Sequence, residues 1–340
     1  MTRQNKSVAG LKSIVRAFAG VSITVLADLV ADEFVYGEIS RVSREAPVLI
    51  LKHRERTVVP GGGGNAVMNL ASLGVKVFPL GVVCDDESGE LLIAGLRKAK
   101  IPTDGIIRLE GHITTTKSRI LAGMSHTSRQ QVVRVDREAP ALGKDNLMLL
   151  ALAHNAQESA RSADALLISD YGYGTATPQL LKRISIWKNK LITVDSRYRL
   201  LEYVGATSAT PNESEVEEAL GTKIREDVEL FSAGKRILDR MHLDSLVITR
   251  GRDGMVAFDS DEEPLVIPIF GSDQVVDVTG AGDTVIAAFT AALAAGADTA
   301  KAAQLANLAG GIVVMKRGTA TVSQSELLAA IDEYAAAKTS

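Results

Sequence analysis

The eight residues Asp277-Val278-Thr279-Gly280-Ala281-Gly282-Asp283-Thr284 hold the sharpest chemical signal in this chain. They lie between an extended run through Val275 and Val276 and a helix expected to begin near Asp283. Glycines at 280 and 282 leave backbone amides uncovered, and amides at a helix N-terminus point at and stabilise an anion. That geometry suits the charge developing on a phosphoryl group in transfer. Asp283, a carboxylate held in the same turn, can accept the proton of an attacking hydroxyl. The same residues also suit a plain helix start, with Thr279 or Asp283 as its cap and the glycines as a tight turn.

Two further motifs open helices. In Thr210-Pro211-Asn212-Glu213-Ser214-Glu215 the spacing of Asn212 and Glu215 is that of a capping box, in which each side chain bonds the other's backbone N–H. It is also that of a magnesium site, because Mg²⁺ keeps most of its water and meets few carboxylates. In Pro60-Gly61-Gly62-Gly63-Gly64-Asn65 the glycines let backbone approach a ligand closely, and Asn65 can both donate to and accept from sugar hydroxyls. A flexible turn is the structural alternative.

These residues need a scaffold, and its pattern is legible. Apolar β-branched runs at Val21–Ala27, Val75–Val83, Ala165–Ser169, Leu191–Val194 and Leu246–Thr249 alternate with helical segments such as Asn65–Leu73 and Pro178–Lys188. This rhythm predicts βαβ units around a mostly parallel sheet covered on both faces, an α/β fold. Ligands of such sheets bind beyond the carboxyl ends of the strands. Asp28, Asp170, Asp195 and Arg250 with Gly251 follow or end four of these runs, so polar groups from distant segments are expected to converge on one rim. Two stretches, about 33–57 and 113–135, break the rhythm with Val, Ile and Thr alternating against Lys, Arg and Ser. Each reads as a pair of short strands, together a small β-sheet lid whose exposed edge pairing between two copies would cover. A homodimer through the lid is the expectation. Residues 1–20 read as a helical extension packed on one continuous domain of residues 1–340, with Val8, Leu11, Ile14, Val15 and Phe18 at helical spacing.

Composition narrows the class of ligand. A net charge of -3 over 340 residues gives no basic surface for nucleic acid, and the low-charge stretch Val285–Ala297 is too short to span a bilayer. A small-molecule ligand and a cytoplasmic location are expected. Cys84 is the only cysteine, which rules out an internal disulfide. The five histidines, at 53, 112, 126, 154 and 242, show no metal-ligand spacing. There is no Gly-x-x-x-x-Gly-Lys-Ser/Thr loop and no Gly-x-Ser-x-Gly elbow. The run Gly61-x-Gly63-x-x-Ala66 imitates a dinucleotide fingerprint, so a NAD-binding oxidoreductase is the rival enzyme, and a non-catalytic sugar-binding regulator is the rival outside catalysis.

Taken together, the 277–284 motif, Asn212 with Glu215, the glycine run with Asn65, and Asp28 resemble the ribokinase-like carbohydrate kinases, also called the phosphofructokinase B type. The resemblance runs from about Val21 to about Leu328 and implies a three-layer α/β/α fold with a small β lid. It implies ATP and Mg²⁺ as cofactors, Asp283 as catalytic base, and the amides of Gly280, Ala281 and Gly282 as an anion hole. Asn212 and Glu215 would organise the magnesium. Thr279, Arg250, Gly251 and Asn307, with Asn212, would lie near the nucleotide, and Asp28, Gly62, Asn65 and Asp170 near the sugar. Ser40–Val48, Pro60–Gly74, Ser169-Asp170-Tyr171 and Ala306-Asn307 resemble the branch that phosphorylates the anomeric hydroxyl of D-glycero-D-manno-heptose 7-phosphate, for the lipopolysaccharide core. Such a 7-phosphate needs a cation, and Arg41, Lys117, Arg119 and Arg134 on the expected lid are the candidates. Two positions depart from that branch: Tyr173 stands where its members have lysine, and Arg44 where they have proline. The nucleotidyltransferase half that often accompanies such a kinase is not expected here, so that separate enzymes would take up the product.

Overall fold

Strands buried on both faces must be apolar at successive positions, and the runs read from the sequence form such strands. The computed structural model describes residues 3–123, 129–139, 147–260, 262–271 and 276–337. Val275, His126 and part of the 113–135 stretch lie outside these residues. The first half of the chain forms α1 (Arg3–Ala17), β1 (Ser22–Ala27), β2 (Leu29–Val42), β3 (Leu49–Gly62), α2 (Gly63–Ser72), β4 (Lys76–Cys84), α3 (Glu87–Lys98), β5 (Ile106–Leu109), β6 (Thr116–Gly123), β7 (Gln130–Arg137) and α4 (Leu147–Ser159). The second half forms β8 (Ala165–Asp170), α5 (Pro178–Arg183), β9 (Leu191–Ser196), β10 (Ser208–Ala209), α6 (Glu213–Leu220), α7 (Asp227–Met241), β11 (Ser245–Thr249), β12 (Met255–Asp259), β13 (Leu265–Ile267), α8 (Ala281–Ala294), α9 (Thr299–Val313) and α10 (Gln324–Ala337).

Among the described residues the large sheet has the order β13-β12-β11-β10-β9-β8-β1-β4-β5, with every pairing parallel except β11–β12 and β12–β13, so that β12 alone runs against the others. Side chains of a strand alternate between faces, and the core divides accordingly. Ile23, Val25 and Ala27 of β1 join α2, α8 and α9 in one apolar cluster, while Leu26 joins α4 and α7 in the other. The amphipathic N-terminal segment becomes α1, which buries Leu11 and Val15 and packs against α10. The expected helix over 178–188 divides instead. It stops at Arg183 and resumes as a 3₁₀ turn, Ser185–Asn189, which carries Trp187 into the core with its indole N–H donating to Ala156 O at 2.9 Å.

The two stretches outside the rhythm meet as a second sheet of order β3-β2-β6-β7. Its first two strands are not short: β2 and β3 pair antiparallel from Leu29 against Gly62 to Val42 against Leu49. β6 lies parallel to β2, and β7 closes the sheet antiparallel to β6. Asp28 alone separates β1 of the large sheet from β2 of the small one, so the two sheets join at the strand-end rim. No helix among the described residues is long and apolar enough to cross a membrane.

Candidate active site

The turn before α8 is held by its own acid. Asp277 accepts from Thr279 N and Gly318 N, both at 2.9 Å, and although burial pushes its carboxyl up, these bonds hold it below the usual carboxylate range. Gly280 then turns the chain at φ +76°, and a side chain there would come within 2.3 Å of Asn65 Nδ2. Only glycine lets the amide turn and the asparagine share this space. Ala281 begins α8, and Asp283 follows in its first turn, 3% exposed.

Two donors fix the Asp283 carboxylate. Tyr171 OH donates to Oδ1 at 2.8 Å and Asn65 Nδ2 to Oδ2 at 3.2 Å. Asn65 is itself held, donating also to Gly280 O at 3.2 Å and accepting from Asn69 Nδ2 at 3.1 Å. Burial pushes Asp283 up to about 7, against the lowering effect of both donors. A carboxylate poised near neutrality is suited to receive a proton from a hydroxyl.

The other strand-end acids divide by task. Asp28 accepts four backbone N–H groups: Tyr171 and Tyr173 on Oδ2, both at 2.9 Å, Thr175 on Oδ1 at 2.8 Å and Ala176 on Oδ1 at 3.2 Å. It is 1% exposed, and burial followed by the charge of Asp170 raises it to about 6. In this structure Asp28 anchors the loop that delivers Tyr171 to Asp283. Asp170 is similarly occupied, accepting from Ser196 Oγ at 2.8 Å, Tyr203 OH at 2.9 Å and Gly172 N at 2.9 Å, and pairing with Arg199. Gly62 caps α2, and Gly63 N donates to Asp28 O at 3.1 Å, which ties the glycine run to the same rim. Because Gly61 and Gly62 end an antiparallel strand of the small sheet and Gly63 opens α2, the apparent dinucleotide fingerprint lacks its parallel βαβ setting.

Asn212 and Glu215 form the capping box that their spacing allows, with Asn212 Oδ1 accepting from Glu215 N and Glu215 Oε2 from Asn212 N, each at 2.9 Å. Glu215 nonetheless also belongs to a group of acids. Burial raises it, and burial together with the charges of Glu215, Asp283 and Asp170 pushes Asp195 well above the usual carboxylate range. The charge of Arg197 opposes both rises without overcoming them, and the acidity left over is what a dication would relieve, so Asp195, Glu215 and Asn212 fit Mg²⁺. No group of three His, Cys, Asp or Glu side chains among the described residues is arranged to hold a metal directly, which leaves water-mediated contact as the mode that suits them.

A cleft of about 210 Å³ opens on the far side of the α8 turn, lined mainly by apolar atoms and including Gly251, Val278, Ala281, Gly282 and Asn307. Asn307 Nδ2 donates to Pro268 O at 2.8 Å. Arg250 points its charge elsewhere, to Glu213 at 2.8 Å and Asp227 at 3.0 Å. Thr279 braces the turn through Asp277.

The four lid cations sit differently. Arg41 lies exposed near the far end of β2, and Arg134 pairs with Asp136 on its own strand. Arg119 is buried against Asp32 at 2.7 Å, and Thr319 Oγ1 donates to the second oxygen of that acid at 2.7 Å. Lys117 is 9% exposed, with its ammonium 5.0 Å from the ring centre of Tyr171 and 5.9 Å from that of Tyr173. Tyr171 and Asp32 escaped the sequence reading, because their partners lie 112 and 287 positions away and no local pattern marks such contacts. Asp195 was legible as a strand end but not as a member of the acid group.

Comparison with known proteins bears on this site. The family model described as pfkB family carbohydrate kinase matches residues 29–326. A curated relative, the bifunctional protein HldE of Desulfatibacillum aliphaticivorans, is 38% identical over 323 residues, covering 94% of this chain and 65% of that protein. The chain thus spans slightly less than two thirds of the relative's length. Among solved structures, Arabidopsis thaliana ribokinase complexed with ribose and ATP is similar with a TM-score of 0.71 at 18% identity, covering 92% of this chain and 98% of that one. Escherichia coli phosphofructokinase-2, in complex with substrates and products, gives a TM-score of 0.74 at 18% identity, covering 92% and 99%. At such identity the structural likeness speaks for the fold, which is ribokinase-like.

Proposed function

Since the chain belongs to the pfkB family of carbohydrate kinases and is a sugar kinase, we propose that it moves the γ-phosphate of ATP to the anomeric hydroxyl of D-glycero-D-manno-heptose 7-phosphate. The observation that carries the chemical step is Asp283, buried at the N-terminus of α8, held by two donors and raised to about 7. Asp283 takes the hydroxyl proton as the oxygen attacks. The amides of Gly280, Ala281 and Gly282 face the anion, where dipoles fixed in advance need no reorganisation during transfer. Tyr171 and Asn65 keep the base aimed, and Asp28 keeps Tyr171 in place. Asn212, Glu215 and Asp195 would hold Mg²⁺, which would supply charge neutralisation for the phosphates. The nucleotide occupies the apolar cleft beside Gly251 and Asn307, with Thr279 in the turn that borders it and Arg250 held by Glu213 and Asp227 next to Gly251. Gly62 and Asn65 border the sugar.

The acceptor assignment rests on the sequence resemblance and on the similarity to HldE. Two copies pair through the lid, whose strand β7 leaves Val132, Val133 and Val135 between 44% and 49% exposed. The enzyme works in the cytoplasm, where ATP is at hand. The test is ADP production with ATP and Mg²⁺ against heptose 7-phosphate, ribose, fructose and fructose 6-phosphate. We expect turnover to be greatest with the heptose and to fall roughly 10³-fold in Asp283→Asn. A different preferred sugar would replace the acceptor; unchanged turnover in the variant would remove Asp283 from its role.

A further inference from the structure

Asn65 and Asn69 stand four positions apart on α2, on one side of the helix, among the buried apolar side chains of Ala66, Val67 and Leu70. They are 1% and 0% exposed. A buried amide is costly unless its hydrogen bonds are made, and each nitrogen and oxygen of these two side chains has a partner. Asn69 Oδ1 accepts from Val322 N at 3.2 Å, in the connection between α9 and α10, and Asn69 Nδ2 donates to Asn65 O at 3.0 Å. Both partners are backbone groups. An N–H only donates and a carbonyl only accepts, so the Asn69 amide has one orientation. Its Nδ2 also meets Asn65 Oδ1 at 3.1 Å. The Asn65 oxygen is thereby turned toward Asn69, and its Nδ2 toward Gly280 O and Asp283 Oδ2, each at 3.2 Å.

An N–H aimed at Asp283 stabilises its ionised form, whereas an amide oxygen in the same place would repel it. Several other groups act on this carboxyl. Tyr171, just after β8, donates to it, and the charge of Lys117 on β6 favours its ionised form. Asp32 on β2 opposes ionisation, and Asp195 at the end of β9 is a second acid within reach of its charge. Asn65 is neutral, so its influence depends wholly on which end of the amide it presents. Asn69 makes no bond to Asp283 among the described residues and acts on it through Asn65. The fixed end of this relay is Val322 N, 253 positions from Asn69, in the loop between the last two helices.

We propose that Asn69 is a positioning residue for Asp283: held by Val322 N and Asn65 O, it locks the Asn65 amide with its nitrogen toward the carboxylate. This rests on Asp283 as the base of the proposed sugar kinase. The full chain is compared as wild type, Asn69→Leu, Asn65→Ala, the double variant and Asp283→Asn, with folding checked by circular dichroism. Asn69→Leu keeps the shape of the side chain and removes its donor and acceptor. The Asp283 carboxyl is titrated by carboxyl-carbon NMR on aspartate-labelled protein, its signal assigned by its loss in Asp283→Asn. In parallel, kcat/KM is followed against pH with ATP, Mg²⁺ and the best acceptor of the sugar panel. The expected result in Asn69→Leu is a titration midpoint, and an activity limb, moved to higher pH by about half to one unit. The shift is upward because a donor to the ionised form is lost. Since Asn69 works through Asn65, the double variant moves no further than Asn65→Ala alone. An unmoved midpoint in Asn69→Leu, or shifts that add in the double variant, overturns the relay and leaves the base standing. Turnover kept in Asp283→Asn, with the midpoints shifted as expected, keeps the relay and removes Asp283 as the base. Should Asn69→Leu fail to fold, neutron diffraction of the perdeuterated wild type decides. Deuterons on Asn65 Nδ2 toward Asp283, and on Asn69 Nδ2 toward Asn65, support the relay; either amide reversed overturns it.

Discussion

Asp283 is useful because it is both buried and tethered. Burial raises its affinity for a proton, and the hydroxyl of Tyr171 opposes that rise. Removing the hydroxyl should therefore move the pH midpoint for turnover upward. In Tyr171→Phe we expect the activity limb that rises through about pH 7 to shift to higher pH, with kcat falling about tenfold near neutrality. A pH–rate profile of kcat/KM on both proteins checks this. The same acid shapes stability with the opposite preference. Its folded pKa stands near 7 against an ordinary 3.8, and that of Asp28 near 6, so the folded state binds these protons more tightly than the unfolded chain does. Their contribution is fully present below about pH 4 and is lost as pH rises through the folded pKa values. Urea midpoints at pH 5, 6 and 7.5 should fall with rising pH, and fall less in Asp283→Asn.

At the scale of elements, the site depends on how strands end and helices begin. The turn into α8 works only if Gly280 carries no side chain, because Asn65 occupies the space. Gly280→Ala should cost turnover roughly 100-fold through displacement of Asn65 and the anion-facing amides, with ATP consumption as the readout and crystallography as the check on the shift. The parallel strands were legible because burial on both faces demands continuous apolar runs, and β1, β4, β8, β9 and β11 each formed within a residue or two of those runs. β10, with two residues, and the edge strand β13, with three, carry too little pattern to be read. The helix over 178–188 failed because propensity is local, whereas the burial of Trp187 against α4 is a tertiary demand. The lid was recognised by its alternating pattern, although the length of β2 and β3 was not, since nothing in the sequence marks the change of sheet at Asp28. Asn212 and Glu215 show the limit of motif reading: one pair of side chains satisfies a helix start and also places an acid beside Asp195.

Across the whole molecule, the two sheets share one rim, and the acids, the glycine turns and the apolar cleft gather there. The small sheet leaves β7 with three partly exposed valines and an edge that pairs with no strand among the described residues, a surface that a second copy can cover. Light scattering at micromolar concentration should give a mass near twice 36.0 kDa, and Val133→Asp with Val135→Asp should reduce it to that of one chain. Retention of the larger mass in that double variant would move the interface elsewhere.

The ribbon of β2 and β3 has fourteen residues in each strand, which at about 3.3 Å per residue makes a beam roughly 45 Å long. It is held most closely toward its root, where Asp28, Gly62 and Gly63 join the large sheet, Thr319 bonds Asp32 and Arg56 reaches Glu87 of α3. A cantilever deflects least at its root and most at its tip. Lys117 and Arg119 pair with Asp32 and Phe34 near the root, whereas Arg41 rides close to the tip. The outer part of the lid can therefore sweep over a large arc while the cations nearest Asp283 hold almost still, so that a wide opening for entry does not loosen the grip at the place of reaction.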